Sequence, residues 1–231
     1  MSSVHYENKQ MLSQVVEALP KWENRVLFIG GATLGFYLEE GLHSLLRTTL
    51  DVDLVIEVAS LSKFYLLADE LRKSGFVELP ERISRWKYNG LLLDILPSGV
   101  GELQSSNPWI QEAFTRAVKQ KLDGNIAILI PTLLDFIVLK LQAFEDRGKK
   151  DYLAKDMDDI VTVIDGYPAE LLTGQSAISA SMADYVASKL NEILVDSEFL
   201  NLLPGILPTS SLTRIHRFKA RILQFLEFIE R

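Results

Sequence analysis

Residues 51–58, Asp51-Val52-Asp53-Leu54-Val55-Ile56-Glu57-Val58, decide how the chain is read. The run is aliphatic, rich in β-branched residues and broken only by acids, which predicts a strand. A strand has a side-chain period of two, so Asp51 and Asp53, on either side of Val52, project from the same face. Upstream, residues 25–29 (RVLFI) form a second short strand that stops at Gly30-Gly31. Residues 32–40 (ATLGFYLEE) then read as a helix closed by Gly41, with Leu34, Phe36, Tyr37 and Leu38 as core candidates. Downstream, residues 60–75 spell a helix ending on Gly75, and FVEL (76–79), RISRWKY (82–88) and GLLLDIL (90–96) follow as three strands. Asn89-Gly90 between the last two is a two-residue hairpin signal.

The outer segments complete the pattern. Met11, Leu12, Val15, Val16 and Leu19 stand at helical spacing in residues 8–19, with Pro20 as the stop. Residues 98–117 are less regular, and 119–122 and 126–130 flank Asp123-Gly124-Asn125 as a further hairpin. From Pro131 the pattern turns helical, over 131–146, 153–165, 168–173, 179–195 and 209–230, the last opened by a Thr209-Ser210-Ser211 cap. The expected fold class is therefore α+β. Residues 1–130 form a mixed sheet with flanking helices, and residues 131–231 form a helical carboxy-terminal domain.

Composition narrows the chemistry. The 231 residues carry 24 Lys+Arg against 31 Asp+Glu, a formal charge of −7, which argues against a broad basic surface for non-specific nucleic-acid binding. With no cysteine there is no disulfide, thiolate zinc site or cysteine nucleophile. His5, His43 and His216 are too scattered to build a histidine metal centre, so a metal here would be a hard cation held by carboxylates. The first ten residues, MSSVHYENKQ, lack an apolar signal core, and no stretch is long enough to span a bilayer, so a cytoplasmic location away from membranes is expected.

Three acids carry the functional reading. Asp51 and Asp53 share a strand face, and Asp94 interrupts the apolar run Leu91-Leu92-Leu93-Asp94-Ile95-Leu96. A lone acid in such a strand needs a cation or donors beside it. On adjacent strands the three would form a site for one or two Mg²⁺ ions. The structural alternative is that Asp51 caps a strand, Asp53 faces solvent and Asp94 pairs with an arginine. Gly30-Gly31, after a strand and before a helix, would let backbone N–H groups approach an anion closely, or is simply a tight turn.

The order strand, Gly-Gly, helix, Asp-x-Asp strand and a later strand with a third Asp resembles the nucleotidyltransferase superfamily typified by polymerase β. Within it, Arg47-Thr48-Thr49-Leu50-Asp51-Val52-Asp53, then Lys140, Ala143 and Arg147, then Lys155-Asp156 and Asp159 are similar to the AbiEii-like family of abortive-infection and toxin–antitoxin effectors. Ala32-Thr33 stands in swapped order relative to that family's GG-x-A-L, and Pro131-Thr132 replaces a more often acidic position.

The resemblance implies an Mg²⁺-dependent transfer of NMP from an NTP, with loss of pyrophosphate. Asp51, Asp53 and Asp94 would hold the metal, and Asp94 would help deprotonate the acceptor hydroxyl. Gly30 and Gly31 would cradle the triphosphate, with Arg47 and Thr49 nearby. Lys140 and Arg147, two turns apart on one helix face, would serve the nucleotide, with Asp156 or Asp159 orienting them. The second domain would thereby contribute to the cleft. The implied acceptor is RNA, with tRNA foremost, and the implied role that of a toxin held by an antitoxin. Two basic patches, Arg82-Arg85-Trp86-Lys87-Tyr88 and Arg214-Arg217-Arg221 with His216 and Lys219, are the candidate RNA contacts. The alternatives are a small-molecule acceptor of aminoglycoside type and a non-catalytic binding module on the same scaffold.

Overall fold

Strand pairing grows outward from the Asp-x-Asp segment, which is β2 (Asp51–Glu57) in the computed structural model of the protein. The structure describes residues 3–19, 26–82, 84–98, 107–148, 151–172, 178–207 and 211–229. Val52, Leu54, Val55 and Ile56 are fully buried while Asp51 and Asp53 are half-buried, so β2 lies in the sheet interior with one face tuned to carry charge. It pairs antiparallel with β1 (Val26–Ile29) and parallel with β5 (Leu91–Ser98). Fully burying such aliphatic side chains contributes about 1.5–3 kcal/mol each, which fixes the register.

Four further strands complete the sheet: β3 (Val77–Glu78), β4 (Arg85–Tyr88), β6 (Val118–Lys121) and β7 (Ala127–Ile130). The order is β3-β4-β5-β2-β1-β7-β6, and the sheet is mixed. The hairpin joining β4 to β5 turns on Asn89 and Gly90, whose φ values of 45° and 85° are those of a type I′ turn. Helices α1 (Ser3–Ala18), α2 (Leu61–Lys73) and α3 (Ile110–Arg116) accompany the sheet.

By its contacts the chain divides into two compact units, Met1–Phe36 with Leu46–Thr132, and Tyr37–Leu45 with Leu133–Arg231. The second unit contains α4 (Leu133–Gly148), α5 (Lys155–Gly166), α6 (Ala180–Val195), α7 (Ser197–Ile206) and α8 (Leu212–Ile229). Residues 37–45 pack there because the Tyr37 ring lies 4.6 Å from Phe136 and the Glu39 N–H donates to the Gly166 carbonyl at 3.0 Å. A Cβ on Gly166 would stand 2.8 Å from Leu38 Cδ2, so glycine permits that approach. The overall architecture is the expected α+β class.

Three local readings change. Residues 31–45 form two 3-10 helices, Gly31–Tyr37 and Glu40–Leu45, instead of an α-helix over 32–40. Gly31, Gly35 and Gly41 weaken an α-helix there, and i→i+3 bonds such as Leu42 N–H to Glu39 O at 2.8 Å replace the longer ladder. Helix α3 emerges from the region read as irregular. Helix α7 lies between the segments expected to be helical and forms despite Pro204: Asp196 accepts from the Glu198 and Phe199 N–H groups at 2.8 and 3.2 Å, and Phe199 and Leu203 are fully buried. Pro20, Arg25 and the Thr209-Ser210 cap lie outside the described residues, although Ser211 Oγ does accept from the Arg214 N–H at 3.3 Å. Among the described residues no helix is long and apolar enough to cross a membrane.

Candidate functional site

Sheet register brings the three acids together. Ile29 pairs with Asp53, Asp53 with Asp94, and Asp94 with Arg85, so one lateral row crosses β1, β2, β5 and β4. Paired residues share a face, and Asp51 sits two positions along β2 on that same face. Asp51, Asp53 and Asp94 each present a carboxylate oxygen, and all three oxygens lie within 4.8 Å of one another. Two oxygens on one Mg²⁺ stand about 3 Å apart when adjacent and about 4.2 Å when opposite, a spacing of the same scale as this set. Half-buried, hard-oxygen and acidic, the donor set fits a divalent hard cation.

The neighbouring loop is shaped around this cluster. Gly30 has φ +78°, and a Cβ on it would lie 2.1 Å from Asp53 Oδ2. Glycine at position 30 thus leaves the room that the Asp53 carboxylate occupies. Gly31 faces Arg47 and Thr49, whose Nη2 and Oγ1 would stand 3.2 and 3.4 Å from an added Cβ. Thr49 Oγ1 donates towards Asp51 Oδ1 at 3.3 Å and orients that carboxylate. Gly30, Gly31, Arg47, Thr49, Asp51, Asp53 and Asp94 all belong to the first unit.

Arg85 is the site residue that sequence reasoning misplaced. Its Nε donates to Asp94 Oδ1 at 2.8 Å and its Nη2 to Asp94 Oδ2 at 2.6 Å, with Asp51 Oδ2 3.9 Å from the same nitrogen. The hydrogen bond to Asp94 raises the Arg85 pKa against the opposing effect of partial burial, and the charges of Asp94, Asp51 and Asp53 add to it. The arginine alternative weighed for Asp94 is therefore real, and it coexists with the triad. The signal was available: counting back from the Asn89-Gly90 turn pairs residue 88 with 91 and residue 85 with 94.

The second unit holds the other predicted residues. Lys140 on α4 reaches Asp156 Oδ1 at 3.2 Å and Asp159 Oδ2 at 2.7 Å on α5, and Arg147 reaches Asp156 Oδ2 at 3.1 Å. Burial alone would lower the Lys140 pKa, but the charges of Asp159 and Asp156 outweigh it and the net shift is upward. Asp156 and Asp159 are almost wholly buried and shelter the Lys140 pairs, whereas the Arg147 side chain is largely exposed.

Neither basic patch is a free cationic surface. Arg214 and Arg217 both donate to the buried carboxylate of Asp165, and Arg221 donates to the Tyr167 carbonyl while its guanidinium lies 4.3 Å from the Tyr167 ring centroid. In the other patch Trp86 is buried in the core, Tyr88 stacks on Phe76 at 4.5 Å, and Arg85 is held by Asp94. Strand alternation is the reason: Trp86 points inward and Arg85 toward the triad, leaving Arg82 and Lys87 exposed.

No family model and no curated protein matches the sequence. Among solved structures the chain is similar to the antibiotic-resistance factor ANT(2'')-Ia, at 11% identity and a TM-score of 0.44, over 68% of this chain and 82% of that one. It is also similar to an antigenic nucleotidyltransferase-like protein from Paracoccidioides brasiliensis, at 17% identity and a TM-score of 0.48, over 93% of this chain and 98% of that one. Neither likeness assigns a role to a residue of this chain.

Proposed function

We propose that the chain is an Mg²⁺-dependent nucleotidyltransferase that moves an NMP unit from an NTP to an acceptor hydroxyl. The observation that carries this reading is the convergence of Asp51, Asp53 and Asp94 to within 4.8 Å, beside a glycine that makes room for Asp53. When bound, Mg²⁺ supplies charge neutralisation and alignment for phosphates at these carboxylates. The acceptor oxygen attacks the α-phosphorus, the bond from that phosphorus to the bridging oxygen breaks, and pyrophosphate leaves. Asp94 is the carboxylate assigned to draw the proton from the acceptor hydroxyl.

Gly30 and Gly31 are assigned to the triphosphate through their backbone N–H groups, with Arg47 and Thr49 beside Gly31. Thr49 holds Asp51 in place through its hydroxyl. Lys140 and Arg147, ordered within the second unit by Asp156 and Asp159, are the further residues proposed to serve the nucleotide. The bound acids give each cation a fixed direction before substrate arrives, the preorganisation that phosphoryl-type transfer relies on.

For the acceptor, RNA follows from the AbiEii-like resemblance, with tRNA the first substrate to try and a toxin role balanced by an antitoxin. A cationic small molecule of aminoglycoside type is the second reading. One observation favours it: the arginines that suggested an RNA track are engaged by Asp165, the Tyr167 carbonyl and Asp94, on a chain of net charge −7. A binding module without catalysis is disfavoured because all three acids are present and converge. Purified protein with Mg²⁺ and each α-labelled NTP, offered total RNA in one panel and aminoglycosides in another, tests this reading. Label in either panel, abolished by Asp53→Asn, supports it and identifies the acceptor class; Mg²⁺-dependent transfer that survives Asp53→Asn contradicts it.

A further inference from the structure

We propose that Arg85 is a built-in counter-ion of the aspartate triad, which a divalent cation must displace from Asp94 and which nucleotide phosphate draws away. The inference rests on the metal reading of Asp51, Asp53 and Asp94.

The geometry is specific. The guanidinium meets Asp94 as a fork, with one nitrogen on each carboxylate oxygen at 2.8 and 2.6 Å, and its Nη2 leans to within 3.9 Å of Asp51. Both oxygens of Asp94 are thereby engaged by a cation on the face that a metal would use. Arg85 cannot slide along the strand, since the two-residue turn pairs it opposite Asp94. Three carboxylates and one guanidinium leave a net charge of about −2, enough to match one divalent ion and too little to hold two without further negative charge. A triphosphate supplies that charge. Its oxygens also match the guanidinium fork, so they give Arg85 a second bidentate partner and free Asp94. Metal and nucleotide then bind with positive coupling through Arg85, which acts as a positioning residue. A merely structural Arg85 would neutralise Asp94 in every state and give no such coupling.

The experiment titrates Mn²⁺ into the full chain, followed by its paramagnetic resonance signal, with and without α,β-methylene ATP. Wild type is compared with Arg85→Gln, Arg85→Lys and Asp53→Asn. Arg85→Gln should tighten binding of Mn²⁺ alone by about tenfold or more, the scale expected from removing one like charge beside the ion. Arg85→Lys, which keeps the charge and loses the fork, should leave Mn²⁺ alone weakly bound, yet gain less from the nucleotide analogue than wild type does. Thermal melting covers a folding defect: Arg85→Gln should melt lower in chelator and recover more with Mn²⁺ than wild type. If Arg85→Gln binds Mn²⁺ no more tightly than wild type, the counter-ion proposal is overturned, and loss of Mn²⁺ in Asp53→Asn still upholds the metal site. If no variant binds Mn²⁺, both the proposal and the metal reading fail.

Discussion

Gly30→Ala tests the site through a single methyl group. Built on the backbone, that Cβ would lie 2.1 Å from Asp53 Oδ2, 2.9 Å from its Cγ and 3.0 Å from its Cβ. Favourable non-bonded separations are about 3.5–4.0 Å, so something must give. Asp53 is paired to β1 on one side and β5 on the other, which pins its Cβ. Relief requires the carboxylate to rotate out of the triad and the Gly30 backbone to give by a few tenths of an ångström. The left-handed φ of +78° adds about 1–2 kcal/mol for any residue with a Cβ. An off-rotamer Asp53 adds about 0.5–1.5 kcal/mol, for a total of about 1.5–3.5 kcal/mol.

Gly31→Ala is the paired control. Its Cβ would meet Arg47 Nη2 at 3.2 Å and Thr49 Oγ1 and Cβ at 3.4 and 3.6 Å, with no positive φ. Its cost should stay below about 1 kcal/mol. Urea unfolding gives the stabilities, and Mn²⁺ titration gives the site. Gly30→Ala should lose about tenfold or more in Mn²⁺ affinity, as expected when the setting of a ligand is disturbed, while Gly31→Ala should keep it. Wild-type Mn²⁺ affinity in Gly30→Ala, or equal damage in both variants, would refute the reasoning.

Lys140→Met removes the ammonium shared by two buried carboxylates and should cost about 3–5 kcal/mol in chemical denaturation, whereas a loss under about 1 kcal/mol would contradict the network. Arg214→Met should cost about 2–3 kcal/mol, because it strips a sheltered partner from buried Asp165. Arg217→Met, half-exposed, should cost under about 1 kcal/mol, and equal losses would count against this ranking. Burial raises the Tyr152 and Tyr185 pKa values, reinforced by Asp196 and Glu145, and Lys140 is raised by Asp159 and Asp156 against its own burial. A raised folded pKa means stability complete below the unfolded value and lost as pH climbs through the folded one. The melting temperature should therefore fall above about pH 10, with tyrosinate absorbance from Tyr152 and Tyr185 appearing only on unfolding, and a flat melting temperature to pH 12 would contradict it.

Much of the first unit was legible because it rests on local signals. The alternation in β2, the acid inside β5 and the Asn89-Gly90 turn each act over a few residues, and together they put Asp51, Asp53 and Asp94 on one face. What escaped depends on contacts far apart in sequence. Arg214 looked like a free charge because its partner, Asp165, lies 49 residues away. Trp86 reads as part of an RNA-contact patch because burial of its face is set by the sheet as a whole. Helix α7 forms despite Pro204, whose local penalty is overcome by a cap and two buried side chains. Arg85 is the instructive case, being derivable from turn arithmetic that pairs it with Asp94.

The most direct test of the central claim is calorimetric titration of an NTP into the protein, with Mg²⁺ and with chelator, for wild type and Asp53→Asn. If Asp51, Asp53 and Asp94 form a metal–phosphate site, wild type binds nucleotide with Mg²⁺ and far more weakly in chelator, and Asp53→Asn loses the difference. Nucleotide binding that is absent, or that is the same with and without Mg²⁺ and in Asp53→Asn, would contradict it.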